Sequence, residues 1–179
     1  MNIFYLNKNQ RLCAEYHTNK HVISQLKEAA QLLSTAHRVL DGVLTYSVKN
    51  NRKSKSFYLH DEREHYLYKA THINHPSAIW ARQSASNYLW LFELYCELLD
   101  EYTYRYGKHH KCEGMLGWLA ILPKNISTIK FTEPTPAMPD QYKVSGDSIQ
   151  SYINYYNGDK QRMFKWKNRE VPYFITGGV

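Results

Sequence analysis

LCAEYHTNKHVISQLKEAAQLLSTAHRVL, residues 12–40, decides the fold class. Leu12, Tyr16, Ile23, Leu26, Ala30, Leu33, His37 and Leu40 recur at the three- and four-residue spacing of neighbours on one helical face. The opposite face carries His17, His21, Ser24, Glu28, Gln31, Thr35 and Arg38. An ordinary solvated face of a basic protein would be mostly Lys and Glu. This stripe instead alternates imidazoles, hydroxyls, a carboxylate, an amide and a guanidinium, groups suited to chemistry or to binding. Asn9 is a candidate cap. Thr18-Asn19 offers a second one, so the reading is one long helix or two that meet there.

Working outward, residues 2–6 form a short apolar extended segment, a lone strand or a tucked-in arm. Residues 45–74 read as loops with brief secondary structure: a solvated turn at Asn50-Asn51 and a short strand at Phe57–Leu59. His75-Pro76 marks a helix entry, since proline suits the first helical position. A second long helix is expected from Ala78 to Tyr106, ended by Gly107. Shorter helices follow over 110–122 and 147–156. A proline-rich loop covers 132–139, a further turn or two lies within 160–169, and residues 172–179 make a loose tail. The fold class is mainly α: one compact domain over 1–179 with two long helices, shorter C-terminal helices and a short N-terminal extended segment. The absence of alternating strands argues against Rossmann-like and barrel enzymes.

The chain of 179 residues is long enough for one sizeable core. An apolar fraction of 43% and an aromatic fraction of 15% exclude a disordered chain. The formal charge of +7 favours a polyanionic partner, nucleic acid first and DNA before RNA, or a nucleotide. The cations cluster in three runs: Lys49, Arg52, Lys53 and Lys55; Lys108 to Lys111; and Lys160, Arg162, Lys165, Lys167 and Arg169, the last interleaved with Phe164 and Trp166. Aromatic rings stack on bases while Lys and Arg hold phosphates, so the third run is the best candidate for backbone contact. Lys20, Arg38, Arg82, Arg105, Lys108, Lys160, Arg162, Lys165, Trp166 and Arg169 are the candidate nucleic-acid contacts. His37, on the apolar face, reads as a buried, hydrogen-bonded residue with a partner such as Glu97 from the second helix.

His17, His21 and Glu28 are the catalytic candidates, in acid–base work or phosphate contact. His17 and His21 have the spacing of a metal-binding pair, but residue 18 is Thr where a metalloprotease needs Glu. Glu28 lies seven residues beyond His21, about 10 Å along the axis, too far for a shared ligand set. No metal and no cofactor is expected. Cys13, Cys96 and Cys112 have no metal-like spacing; Cys13 and Cys96 read as small core residues of a protein in a reducing compartment. No stretch suits a signal peptide or a membrane span. A phosphate loop, a nucleophile elbow and a zinc finger are equally missing.

MNIFYL, HTNKHV, KEAAQLLSTAHRVLDG, HPSAIWARQSASNYLWL, DEYTYRYGKHHK, FTEPTPAMPD and FKWKNREVP together resemble an uncharacterised family of small proteins of tailed bacteriophages. That kinship implies the host cytoplasm. LCAEYH at 12–17, the stretch 88–105 and the C-terminal Tyr/Trp/Lys block also resemble the phage pyrimidine-dimer DNA glycosylases. The second resemblance implies an N-terminal amine that attacks the sugar C1′, and a glutamate that assists ring opening and strand cleavage, with Glu15 or Glu28 in that place. The chain departs from that family at Asn2, a residue too large for efficient removal of Met1. Either Met1 supplies the amine, or the chemistry is different, or there is none. The expected function is a DNA- or nucleotide-directed phage enzyme, hydrolytic or of N-glycosylase/lyase type. Its alternatives are a non-catalytic nucleic-acid-binding protein and an inhibitor of a host protein.

Overall fold

The structure, a computed structural model, describes residues 1–49 and 52–177. Its elements run α1 (Gln10–Tyr16), α2 (Asn19–Asp41), β1 (Val43–Lys49), β2 (Arg52–Tyr58), α3 (Arg63–Tyr66), α4 (Pro76–Gln83), α5 (Ala85–Tyr106), α6 (Leu116–Leu119) and α7 (Ser148–Asp159), with short 3-10 turns between them. The protein is mainly α. β1 and β2 form one antiparallel hairpin, Val43 opposite Tyr58. The Asn50-Asn51 turn lies outside the described residues. So do the side chains of Lys49, Arg52 and Lys53; Lys55 is exposed.

Both expected long helices are broken by a cap. The Thr18 hydroxyl accepts from the His21 N–H and starts α2 afresh. The Ser84 hydroxyl accepts from the Asn87 N–H and separates α4 from α5. His75 caps α4 through its ring, with Pro76 at the first helical position. Gly107 ends α5 in the left-handed region at φ 65°, where a side chain would be strained.

The end of α1 explains several basic and aromatic residues at once. Carbonyls in the last turn of a helix lack intrahelical donors and need others. Arg105 donates to the carbonyls of Glu15 and His17 and to the Asn19 side chain. The Trp166 indole donates to the Tyr16 carbonyl at 3.0 Å. Arg105 also pairs with Glu101 at 2.6 Å, and both are buried. Arg38 does the same for the segment after the hairpin. It donates to the carbonyls of Phe57, Glu64, Leu67 and Tyr68 and pairs with the Glu64 carboxylate. Buried cations need such partners, because an unpaired one loses its hydration without return.

The core lies where α2 packs against α4 and α5, with α1 on α5. It is closed at one end by the N-terminal residues. Ile3, Phe4, Tyr5 and Leu6 are all buried without strand pairing, so the segment is a tucked-in arm. A polar chain crosses this core. Arg63 donates to His37 Nδ1, which leaves the His37 Nε2–H to donate to the Tyr88 hydroxyl, and Tyr88 donates to the Leu119 carbonyl. His37 is thus buried and bonded to the second helix, through Tyr88 rather than Glu97. At the C-terminus, Phe174 is buried and the Asn157 side chain holds the Phe174 carbonyl and the Thr176 N–H. Residues 172–177 are therefore tied down; 178–179 lie outside the described residues.

Candidate active site

The polar stripe of α2 does not face one way. In the second half of the helix it turns inward, with Thr35 and Arg38 fully buried, while Leu12 and Ile23 on the supposed apolar face are exposed. The segment from Phe57 to Thr71 covers surface that helical periodicity alone assigns to solvent, bonding Arg38 from Phe57 to Tyr68 and Thr35 from Thr71. Only His21, Ser24 and Glu28 of the stripe open onto a cleft.

This cleft has a volume of about 540 Å³, and α2 supplies Lys20, His21, Ser24 and Glu28 to it. Met1, Asn2 and Phe4 of the arm form a second side. His75 enters from the cap of α4, and Ala137, Tyr155, Lys160 and Met163 close the cleft from the C-terminal part. At its centre Glu28 Oε2 accepts from the Asn2 backbone N–H at 2.9 Å, and the Met1 α-amine stands 3.8 Å from the same oxygen. The arm cannot slide out of this register easily. The Asn2 side chain donates to the Ala137 carbonyl at 2.8 Å and accepts from the Tyr152 hydroxyl at 2.5 Å. The Met1 side chain is only 4% exposed.

His21 stacks on Phe4 with ring centroids 4.1 Å apart, and its Nδ1 is 2.5 Å from the Tyr156 hydroxyl. Burial, then the neighbouring His17 and Lys160, push its pKa down to about 3, so the ring is neutral. His17 faces the interior. Its Nδ1 lies 2.6 Å from the Cys13 carbonyl, which can only accept, so Nδ1 carries the proton. Its Nε2 is buried without a partner among the described residues, and burial lowers its pKa to about 4. His75 accepts from the Ser77 N–H through Nδ1. Its pKa is lowered by burial, then by the N-terminal ammonium and His72, against a pull from Glu28.

Three buried neutral histidines make stability pH-dependent. His37 is held at about 4, chiefly by burial and then by the Arg63 charge. As pH falls below the ordinary 6.5, the unfolded chain takes up protons that the folded imidazoles refuse. Stability is therefore present above 6.5 and lost on the way down to about 4 and 3. Each histidine contributes up to about 1.4 kcal/mol per pH unit across its window. Urea midpoints measured from pH 7.5 to 4.5 should fall steadily below 6.5. A flat profile down to pH 5 would show that these rings are not held neutral.

The other sequence candidates are scattered. Lys20 and Lys160 line the cleft, Lys160 with its ammonium 4.3 Å from the Tyr155 ring centre. Lys108, Arg162 and Lys165 are exposed outside it. Arg38, Arg105 and Trp166 are buried in the carbonyl contacts described above and present no free face to a base or phosphate. Arg169 pairs with Glu101 at 2.8 Å and lies over the Tyr104 ring. Arg82 is half-buried, and its Nη1 has no partner among the described residues. A separate hollow of about 360 Å³ is lined by Glu15, Glu97, Asp100 and Glu101 with Arg11 and Arg169. Four carboxylates there would repel a phosphate backbone.

The glycosylase resemblance implies an N-terminal amine with Glu15 or Glu28, but nothing in the sequence reading makes Asn2, Phe4 or His75 walls of a cleft. The signal was present in part. A terminal arm with Ile3, Phe4 and Leu6 in a row must be buried, and burial brings the residues before it to the core as well.

A mainly helical, basic scaffold thus gathers its own N-terminus, a carboxylate and neutral imidazoles into one cleft flanked by lysines. The family model for pyrimidine dimer DNA glycosylases matches residues 1–114, more than half of the chain, and the chain belongs to that family. Membership carries a DNA glycosylase-like function with DNA as the partner. No curated protein and no solved structure matches the chain. The matched stretch contains Met1, Asn2, Lys20, His21, Glu28 and His75, whereas Tyr155, Lys160 and Met163 come from beyond it. Among the described residues no helix is long and apolar enough to cross a membrane, and no group of His, Cys, Asp and Glu is arranged to hold a metal.

Proposed function

We propose that the protein excises damaged pyrimidines from DNA and cleaves the strand at the resulting site, with an α-amine at its N-terminus as nucleophile and Glu28 as the acid–base group. The observation that carries this reading is the contact of the arm with Glu28: 2.9 Å from the Asn2 nitrogen and 3.8 Å from the Met1 amine. Glu15 fits less well, because its carboxylate pairs with Arg11 and Arg169 in the separate acidic hollow.

The neutral amine attacks C1′ of the nucleotide, and the base departs with the electrons of the glycosidic bond. Loss of a proton from nitrogen and cleavage of the C1′–O4′ bond, with a proton delivered to O4′ by Glu28, give a protonated imine. Removal of a C2′ proton then expels the 3′ phosphate and breaks the strand. Glu28 carries protons in both steps. Lys20 and Lys160 hold flanking phosphates. Reaching C1′ inside a duplex requires local extrusion of a nucleotide, and the half-buried Tyr155 supplies an aromatic wall against which a base can lie.

Incision of ultraviolet-irradiated supercoiled DNA tests this. The irradiated circle should be nicked, the unirradiated one left intact, and borohydride should trap a covalent protein–DNA adduct. Intact irradiated DNA with no adduct would remove the assignment.

A further inference from the structure

His75 has two ring nitrogens with two different surroundings. Nδ1 accepts from the Ser77 N–H at 3.2 Å and so caps α4. An acceptor carries no proton, so the neutral ring must carry its proton on Nε2. The cap bond also fixes the rotamer. The ring is half-buried, lines the cleft, and lies close enough to the N-terminal ammonium and to Glu28 to feel both charges. No partner for Nε2 is present among the described residues. The cleft therefore holds a fixed neutral N–H donor that neither helix capping nor the amine chemistry uses.

We infer that His75 Nε2–H is a catalytic hydrogen-bond donor to the departing pyrimidine, stabilising the negative charge that its carbonyl oxygen gains as the glycosidic bond breaks. This rests on the glycosylase reading above. Other donors in the cleft suit the task less well. Lys20 and Lys160 are full charges that the phosphates claim, and the Ser24 hydroxyl rotates freely. A donor whose ring is already held before reaction has little reorganisation cost when charge develops. The bond balance is simple: the pyrimidine keeps the glycosidic electron pair and stays joined to its neighbour in the dimer, His75 shares but does not lose its proton, and solvent later protonates the released ring nitrogen.

The cap makes a clean test available. Asn and Ser are strong capping residues, so His75→Asn and His75→Ser keep an acceptor for the Ser77 N–H while removing Nε2–H. Each variant is assayed on two substrates, dimer-containing DNA and DNA with a preformed abasic site, which has no base to expel. Excision from dimer-containing DNA should fall about 100- to 1000-fold, the range of one such donor, while cleavage at the abasic site stays within about twofold and the thermal midpoint is unchanged. Wild-type excision in either variant would overturn the role. Equal losses on both substrates would also overturn it, because His75 would then serve the shared amine step or the shape of the cleft. Failure of the underlying reading looks different: the unmodified protein would act on neither substrate.

Discussion

Glu28→Gln should reduce strand incision at pyrimidine dimers by about 10²- to 10⁴-fold, the range for loss of a general acid–base group. The substitution is conservative in shape. The glutamine carbonyl can still accept from the Asn2 N–H, so the 2.9 Å contact that anchors the arm need not be lost. What disappears is the ability to move a proton to O4′ or from C2′, together with the negative charge beside the Met1 amine. DNA affinity should be retained or slightly raised, since a carboxylate near the phosphates is removed. The comparison is single-turnover incision against equilibrium binding at one salt concentration. Activity near that of the unmodified protein would exclude Glu28. Loss of binding in parallel with activity would show instead that the contact matters only for holding the arm in place.

The same contact shows which parts of this protein a sequence can convey. The helical class was readable because α2 and α5 carry long apolar runs at helical spacing, and Gly107 and His75-Pro76 punctuate them. The breaks at Thr18 and Ser84 were harder, since Thr and Ser also sit inside helices; only the first was among the expected alternatives. Charge was a poorer guide. Arg38, Arg105 and Trp166 looked like DNA contacts in one dimension, yet each satisfies backbone carbonyls at a helix end or a loop. A basic residue that completes a buried carbonyl cannot be told by its identity from one that meets a phosphate, because both tasks use the same N–H groups. His21 and Glu28 were readable as a polar stripe, but the N-terminal amine came only from the family resemblance and not from the residue pattern. The Met1 amine belongs to no side chain, and its place depends on where a five-residue arm is buried, which is a tertiary fact.

Blocking that amine should abolish the covalent chemistry altogether. The proposed reaction requires a free amine beside Glu28, at Met1 or, once Met1 has been removed, at Asn2, whose nitrogen already touches the carboxylate. An acetylated α-amine, or a short peptide joined ahead of Met1, converts the nucleophile into an amide that cannot form an imine. Incision of both dimer-containing and abasic DNA should then fall below detection, with no borohydride-trapped adduct, while Lys20 and Lys160 still bind DNA. Full activity of the blocked protein would move the nucleophile elsewhere, with Lys20 and Lys160 the nearest alternative amines in the cleft. Asn2 points to retention of Met1, and the packing of the Met1 side chain at 4% exposure is consistent with that. The mass of the trapped N-terminal peptide distinguishes the two amines by one methionine. A Met1 adduct would mean that the nucleophile is the amine 3.8 Å from the Glu28 carboxylate, one residue before the nitrogen that donates the 2.9 Å contact.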